Sequence, residues 1–142
     1  MTDTEIWKSI KARFKEVIAA YDEETGKTSP SVIIEPNRPD TRDGNDIWFQ
    51  IFPLTSQPHQ QELGSTGRNR WTFGLQIDIN SPSDLGTGDI DDAYDFIAKH
   101  FKRGDIFDGI RVLQTAFRSS ARVYDDYYSV PVTVMVQADL DN

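Results

Sequence analysis

The chain contains no cysteine and only two histidines among its 142 residues. The lack of cysteine excludes disulfide bonds, thiolate metal sites and thiol nucleophiles. No apolar run approaches the ~20 residues that a membrane-spanning helix needs. The first residues, MTDTEIWKSI, also lack the basic start and apolar stretch of a signal peptide. These absences predict a soluble protein that is made in a cytoplasm and has no membrane partner.

Positive charge is scarce as well. Fifteen Lys and Arg residues stand against 23 Asp and Glu residues, which gives a formal net charge of −8. Broad binding to nucleic-acid phosphates needs a basic face, and this composition does not favour one. The remaining composition, 37% hydrophobic and 27% charged, is ordinary for a globular chain, and the length fits one domain.

The apolar spacing predicts two helices. The first ends at Gly26, and Thr2 and Glu5 have the spacing of a capping box at its start. Its apolar residues recur at three- and four-residue steps: Ile6, Ile10, Phe14, Val17, Ile18 and Tyr21. The second helix is predicted over residues 89–102, with Asp89 as its N-cap and Gly104 closing it.

Period-two patterns and turn residues predict the strands. They are expected at residues 32–35, 47–54, 71–80, 110–117 and 123–138. The order α-β-β-β-α-β-β predicts a single α+β domain whose mostly antiparallel sheet carries both helices. Strand 47–54 is apolar on both sides, which indicates burial on both faces, or burial on one and a partner on the other.

The polar segment 55–70 joins two strands that we expect to form a hairpin. It is much longer than the about two to five residues of most hairpin loops, so it predicts a long flexible arm. Arg68 and Arg70 stand where this arm enters strand 71–80. Two interpretations remain open for them. They keep a sheet edge soluble, or they bridge to acidic groups on a neighbouring subunit or another protein.

Candidates for chemistry are few. Asp89, Asp91 and Asp92 have the oxygen ligands that Mg²⁺ or Ca²⁺ prefers, so a small metal-dependent hydrolase is one alternative. Acidic residues in a first helical turn also stabilise the helix without any metal. His59 and His100 belong to no catalytic motif, and no serine lies in a G-x-S-x-G sequence. The sequence therefore predicts a protein that is not an enzyme, with no catalytic, cofactor-binding or metal residue and no cofactor.

The order of these segments resembles one known family. Three stretches show this resemblance: LGSTGRNRWTFGLQIDINSP, the helix end FKRG and the last strand YYSVPVTVMVQ. The chain is similar, from about residue 5 to residue 138, to the tail terminator proteins of long-tailed bacteriophages, also called minor tail or tail completion proteins. The residues that carry the resemblance are Gly67, Arg68, Arg70, Gly74, Pro82, Gly88, Tyr128, Val130, Pro131 and Val132.

The resemblance implies a structural virion protein at the head-proximal end of the tail, assembled in the host cytoplasm. Such proteins form a ring, usually a hexamer, that caps the tail tube, ends tail polymerisation and receives the head-completion or connector protein. DNA passes through the lumen without specific binding. The residues expected to contact a neighbouring subunit or the tube are Arg68, Arg70, Trp48, Gln50 and Phe52. Another phage neck or tail-tube subunit, or a monomeric peptide-binding module, is an alternative.

Overall fold

A computed structural model describes residues 3–26, 30–36, 47–55, 59–60, 69–82 and 87–140. Its helices are α1 (Asp3–Thr25) and α2 (Gly88–His100). Its strands are β1 (Val32–Ile34), β2 (Trp48–Thr55), β3 (His59–Gln60), β4 (Asn69–Pro82), β5 (Ile106–Phe107), β6 (Ile110–Arg118), β7 (Arg122–Val123) and β8 (Tyr127–Leu140). The longer elements follow the predicted order, and β3, β5 and β7 are two-residue additions. The prediction of a single α+β domain is confirmed.

The strands form one curled sheet with the order β1-β2-β4-β8-β6-β5, in which β3 also pairs with β4 and β7 with β8. Among the described strands, β1 and β2 pair in parallel and every other pair is antiparallel. The centre of the sheet is the long pair of β4 and β8, which runs from Asn69 opposite Leu140 to Pro82 opposite Tyr127. The predicted hairpin of the second and third long strands is confirmed as β2 and β4.

One face of the sheet, here called the inner face, carries the core. The alternation in β4 and β8 places their large apolar residues on this face, where each is at most 5% exposed. These residues are Phe73, Leu75, Ile77, Ile79, Val130, Val132, Val134 and Val136. Both helices pack here, and all six apolar residues predicted for α1 are buried. Ring contacts join α1 to the sheet, Phe14 to Phe49 at 5.9 Å and Trp7 to Phe73 at 5.5 Å between centroids.

The predicted N-cap of α2 is wrong. The helix already includes Gly88, so Asp89 lies within its first turn, and the residue before the helix is Thr87. The Thr87 side chain makes no capping bond to the backbone, while its carbonyl accepts the N–H of Asp91 at 2.9 Å. An N-cap side chain can act only from a position before the first helical residue. Asp89 therefore contributes only through its charge near the positive end of the helix dipole.

Two glycines have positive φ angles near the helix ends. Gly26 directly follows α1 with a φ of +73°, as predicted for a residue that stops the helix. Gly104 has a φ of +92° but lies beyond the end of α2 at His100, in the turn that leads to β5. It closes that turn and not the helix, which corrects the expected helix end at residue 102. Thr2 lies outside the described residues.

Asp91 is the acidic residue that holds the start of α2 to the sheet. Its Oδ1 lies 2.6 Å from a terminal nitrogen of Arg118 on β6, and its Oδ2 accepts the Thr87 hydroxyl at 3.4 Å. We expect Asp91→Ala to lower the free energy of unfolding by about 0.5–2 kcal/mol, because it removes an exposed ion pair and a favourable charge. Asp89→Ala is the matched control and should stay within about 0.5 kcal/mol. If urea denaturation shows that the two variants lose the same free energy of unfolding, Asp91 does not hold the start of α2 to the sheet as assigned here.

The remaining differences concern strand ends. β4 begins at Asn69, earlier than predicted, and β3 pairs with Asn69 and Arg70, so pairing extends into the segment expected to be an arm. Residues 56–58 and 61–68, which include Arg68, lie outside the described part of the chain. The last strand begins at Tyr127 and not at residue 123. A reversal separates it from β7, with the Tyr124 N–H donating to the Tyr127 carbonyl at 2.8 Å.

Candidate interaction surface

The face of the sheet opposite the helices, here called the outer face, has two neighbouring rows without a charged residue. The strand register aligns Phe52, Gln76, Thr133 and Phe117 in one row, and Leu54, Gly74, Met135 and Gln114 in the next. We call these eight residues the uncharged belt. Three of its large apolar side chains are well exposed: Phe52 at 38%, Leu54 at 40% and Phe117 at 42%. The belt crosses β2, β4, β8 and β6, so it spans most of the width of the sheet.

Gly74 makes the apolar surface of the belt continuous. A Cβ atom at this position would lie 3.1 Å from the Leu54 Cβ and 3.1 Å from the Met135 Sδ. Such distances are shorter than most van der Waals contacts, so a side chain would push the two neighbours apart. The absence of a side chain lets Leu54 and Met135 approach each other across the central strand β4.

The sequence-predicted residues of β2 lie on this outer face, but they differ in what they offer. Trp48 is only 4% exposed, and its ring lies 5.5 Å from that of Tyr127. The Gln50 side chain is part-buried and accepts a hydrogen bond from the Asn80 Nδ2 at 3.3 Å. Of the three predicted residues, Phe52 therefore presents the large apolar area.

Sequence reasoning missed Leu54 and Phe117. The alternation of β2 contained a signal for Leu54, because it stands two residues after Phe52. Phe117 gave no such signal. Irregularities in the pairing of β6 with β8, between Val112 and Gln114 and between Gln114 and Phe117, break the period of two. Its place on the outer face becomes visible only from its position opposite Thr133.

Arg70 is paired within the chain. Its Nε donates to the Asp139 Oδ1 at 3.0 Å, and both side chains are a little over one third exposed. This pair borders a cleft of about 310 Å³, whose lining includes Arg111 and Gln137 on the outer face and Ile106 and Gly109 of the β5–β6 hairpin. We call it the arginine cleft. Arg68, the other predicted arginine, lies outside the described residues.

The acidic residues of α2 do not form a metal site in the described part of the chain. No group of three or more His, Asp or Glu side chains there is arranged to hold a metal ion. Asp91 is engaged by Arg118. Burial raises the pKa of Tyr21, and the carboxylates of Asp89 and Asp92 raise it further. The metal-dependent hydrolase alternative therefore has no ligand set in this region.

His100 is the histidine whose side chain the structure describes. Its ring lies 4.5 Å from that of Phe96, and burial lowers its pKa, with Arg13 and Lys99 lowering it further. A lowered pKa keeps the imidazole neutral near pH 7. The ring packs against Phe96 at the end of α2.

Neither helix in the described ranges has the length and apolar character needed to cross a membrane. No protein-family model matches the chain, and no curated protein matches it. Eleven chains of solved structures do match. One is a protein that carries only a sequence identifier as its name. It aligns with a TM-score of 0.70 at 12% sequence identity, over 96% of this chain and 97% of its own. At this identity the likeness shows the fold alone.

Proposed function

We propose that this protein is a structural virion subunit that assembles as a ring, most simply a hexamer, on the end of a phage tail tube. In this role it ends tail polymerisation, and its other side receives a head-completion or connector protein. The resemblance of the sequence from about residue 5 to residue 138 supports the proposal. The uncharged belt is the structural observation that carries it, because ring assembly needs a surface for self-association.

The belt has the composition of a protein contact. In a chain of which 27% is charged, these two rows hold no charged side chain and expose three large apolar ones. Interface cores are depleted in charge and enriched in aromatic residues and methionine, as the belt is with Phe52, Phe117 and Met135. Large contiguous apolar patches that are exposed on a protein often mark interaction sites. A head-to-tail contact between identical subunits closes into a ring when its rotation divides a full turn.

The charge of the chain fits the passage of DNA through such a ring. A net charge of −8 on each subunit disfavours tight binding of phosphates. The proposed partners are therefore other copies of the chain, the tail tube protein and the head-completion protein, while DNA passes without specific binding. The proposed location is the head-proximal end of the tail, after assembly in the host cytoplasm.

The test combines native mass spectrometry over a range of protein concentrations with negative-stain electron microscopy. We expect closed rings with a central hole, either free or on the ends of tail tubes from the same phage. Rings that cap tube ends and stop elongation would support termination, whereas copies that extend the tube would identify a tail-tube subunit. A strict dimer or monomer at every concentration, with bare tube ends, would refute the proposal.

A further inference from the structure

The arginine cleft lies directly beside the uncharged belt. Along β8, the outer face continues from Met135 in the belt to Gln137 and then to Asp139 in the cleft. Arg111 on β6 stands opposite Gln137, and Arg70 on β4 stands opposite Asp139. The two arginines therefore approach β8 from its two neighbouring strands, on the same face of the sheet. A partner that covers the belt would also reach the cleft.

The cleft holds more donors than its own residues use. Arg70 donates to Asp139 through Nε, and among the described residues its two terminal nitrogens have no hydrogen-bond partner. Arg111 has neither a hydrogen bond nor an ion pair with any residue that the structure describes, and it is exposed. Among the lining residues that the structure describes, Asp139 is the single carboxylate against two guanidinium groups. The cleft is therefore locally positive in a strongly acidic chain.

The opposite side of the cleft is apolar. Ile106 of β5 is 65% exposed at its rim, and Gly109, with a φ of +76°, forms part of the tight turn between β5 and β6. A planar guanidinium presents paired N–H donors that match the two oxygens of a carboxylate. A volume of about 310 Å³ admits one or two side chains. The site thus suits an acidic side chain flanked by apolar atoms.

We propose that the arginine cleft binds a carboxylate side chain presented by a second copy of this chain, with Arg111 as its main donor. Acidic residues outnumber basic ones by 23 to 15, so a neighbouring copy offers a mostly acidic surface to a positive cleft. A DNA backbone is a poorer occupant, since tight binding to it requires a row of basic contacts to successive phosphates. This inference rests on the proposed ring, in which copies meet across the belt and the cleft together.

The experiment compares Arg111→Glu with the control Lys8→Glu in the full chain. Both changes alter the net charge equally, and Lys8 is exposed on α1, on the helical side of the domain. We expect Arg111→Glu to raise the dissociation constant for self-association, measured by sedimentation velocity, at least about tenfold. Lys8→Glu should leave it unchanged, and both variants should melt as the wild type does. Arg111→Gln removes the charge without reversing it, so it should show a smaller loss of self-association affinity. It replaces Arg111→Glu as the test variant if Arg111→Glu does not fold.

The outcomes separate the cleft from the ring. If the wild type forms rings and both Arg111 variants form them equally well, the cleft assignment is overturned while the proposed function stands. If Arg111→Glu weakens association but the wild-type assembly is not a ring, the cleft assignment stands and the proposed function fails. A wild type that never associates overturns both. If Arg111→Glu assembles as the wild type does and loses only affinity for a DNA duplex, the cleft binds phosphate, and the assignment of a carboxylate ligand is overturned.

Discussion

Phe52→Glu is expected to prevent the proposed ring assembly while leaving the domain folded. Phe52 lies in the uncharged belt at 38% exposure, so the free subunit can hydrate a carboxylate at this position. In a dry contact between copies the same carboxylate would be buried without a partner, which carries a large desolvation penalty. Loss of a hot-spot aromatic contact costs at least about 2 kcal/mol of binding, so we expect self-association to weaken by roughly 30-fold or more.

Val123→Glu is the matched control for this prediction. Val123 is 79% exposed on β7 and lies away from the belt, so the control adds the same charge to an apolar surface position. Sedimentation velocity and native mass spectrometry report assembly, and thermal melts report the fold. Rings formed by Phe52→Glu at wild-type concentrations would show that the belt is not a subunit contact.

Phe14→Ala is expected to cause the largest loss of stability among single changes in α1. The Phe14 side chain is fully buried and meets the ring of Phe49 on β2 edge-to-face at 5.9 Å between centroids. Removing it discards both the burial and the aromatic contact and leaves a cavity between the helix and the sheet. Comparable changes cost about 3–5 kcal/mol, a large share of the roughly 5–15 kcal/mol that holds a typical domain folded.

Urea denaturation followed by circular dichroism measures this loss. Phe14→Leu is the control, because it keeps most of the apolar volume and should cost less than about 2 kcal/mol. A loss below about 1 kcal/mol for Phe14→Ala would contradict the packing of α1 on the inner face. Because the effect arises in the core, we expect the remaining folded Phe14→Ala protein to associate as the wild type does.

The helical and inner-face patterns could be predicted from the sequence because burial imposes a period. Every apolar residue predicted for α1 is buried, and the alternation of β4 and β8 selects the inner face correctly. The start of α2 could not be placed so well. Thr87, Gly88 and Asp89 form a run in which several residue types suit a helix N-terminus, and the propensity of Asp for the N-cap pointed to the wrong one.

The candidate surfaces were only partly predictable, for a different reason. Phe52 could be found because its strand carries apolar residues on both sides. The core covers only one side, so an apolar residue on the other side indicates a partner there. Arg111 carries no such signal, since an isolated arginine in a strand resembles any solubilising residue. Its partnership with Arg70, Gln137 and Asp139 arises from the register of β4, β8 and β6. The alternation of a strand predicts which face its residues share. Which residues of β4, β8 and β6 stand opposite one another depends on pairing between strands and on the register shifts in β6, which the pattern of one strand does not show.

The long pairing of β4 with β8 also has a consequence for how the chain reaches its fold. All of α2, β5, β6 and β7 lies between these two strands in sequence, yet the strands are neighbours over their whole length. The chain must therefore close a large loop, at an entropic cost, before the centre of the sheet gains any of its contacts. Domains dominated by such distant pairings fold in about milliseconds to seconds, and helical bundles in microseconds to milliseconds. Each new chain thus passes through a slow search, during which the apolar strands of the centre are unprotected until β8 pairs with β4.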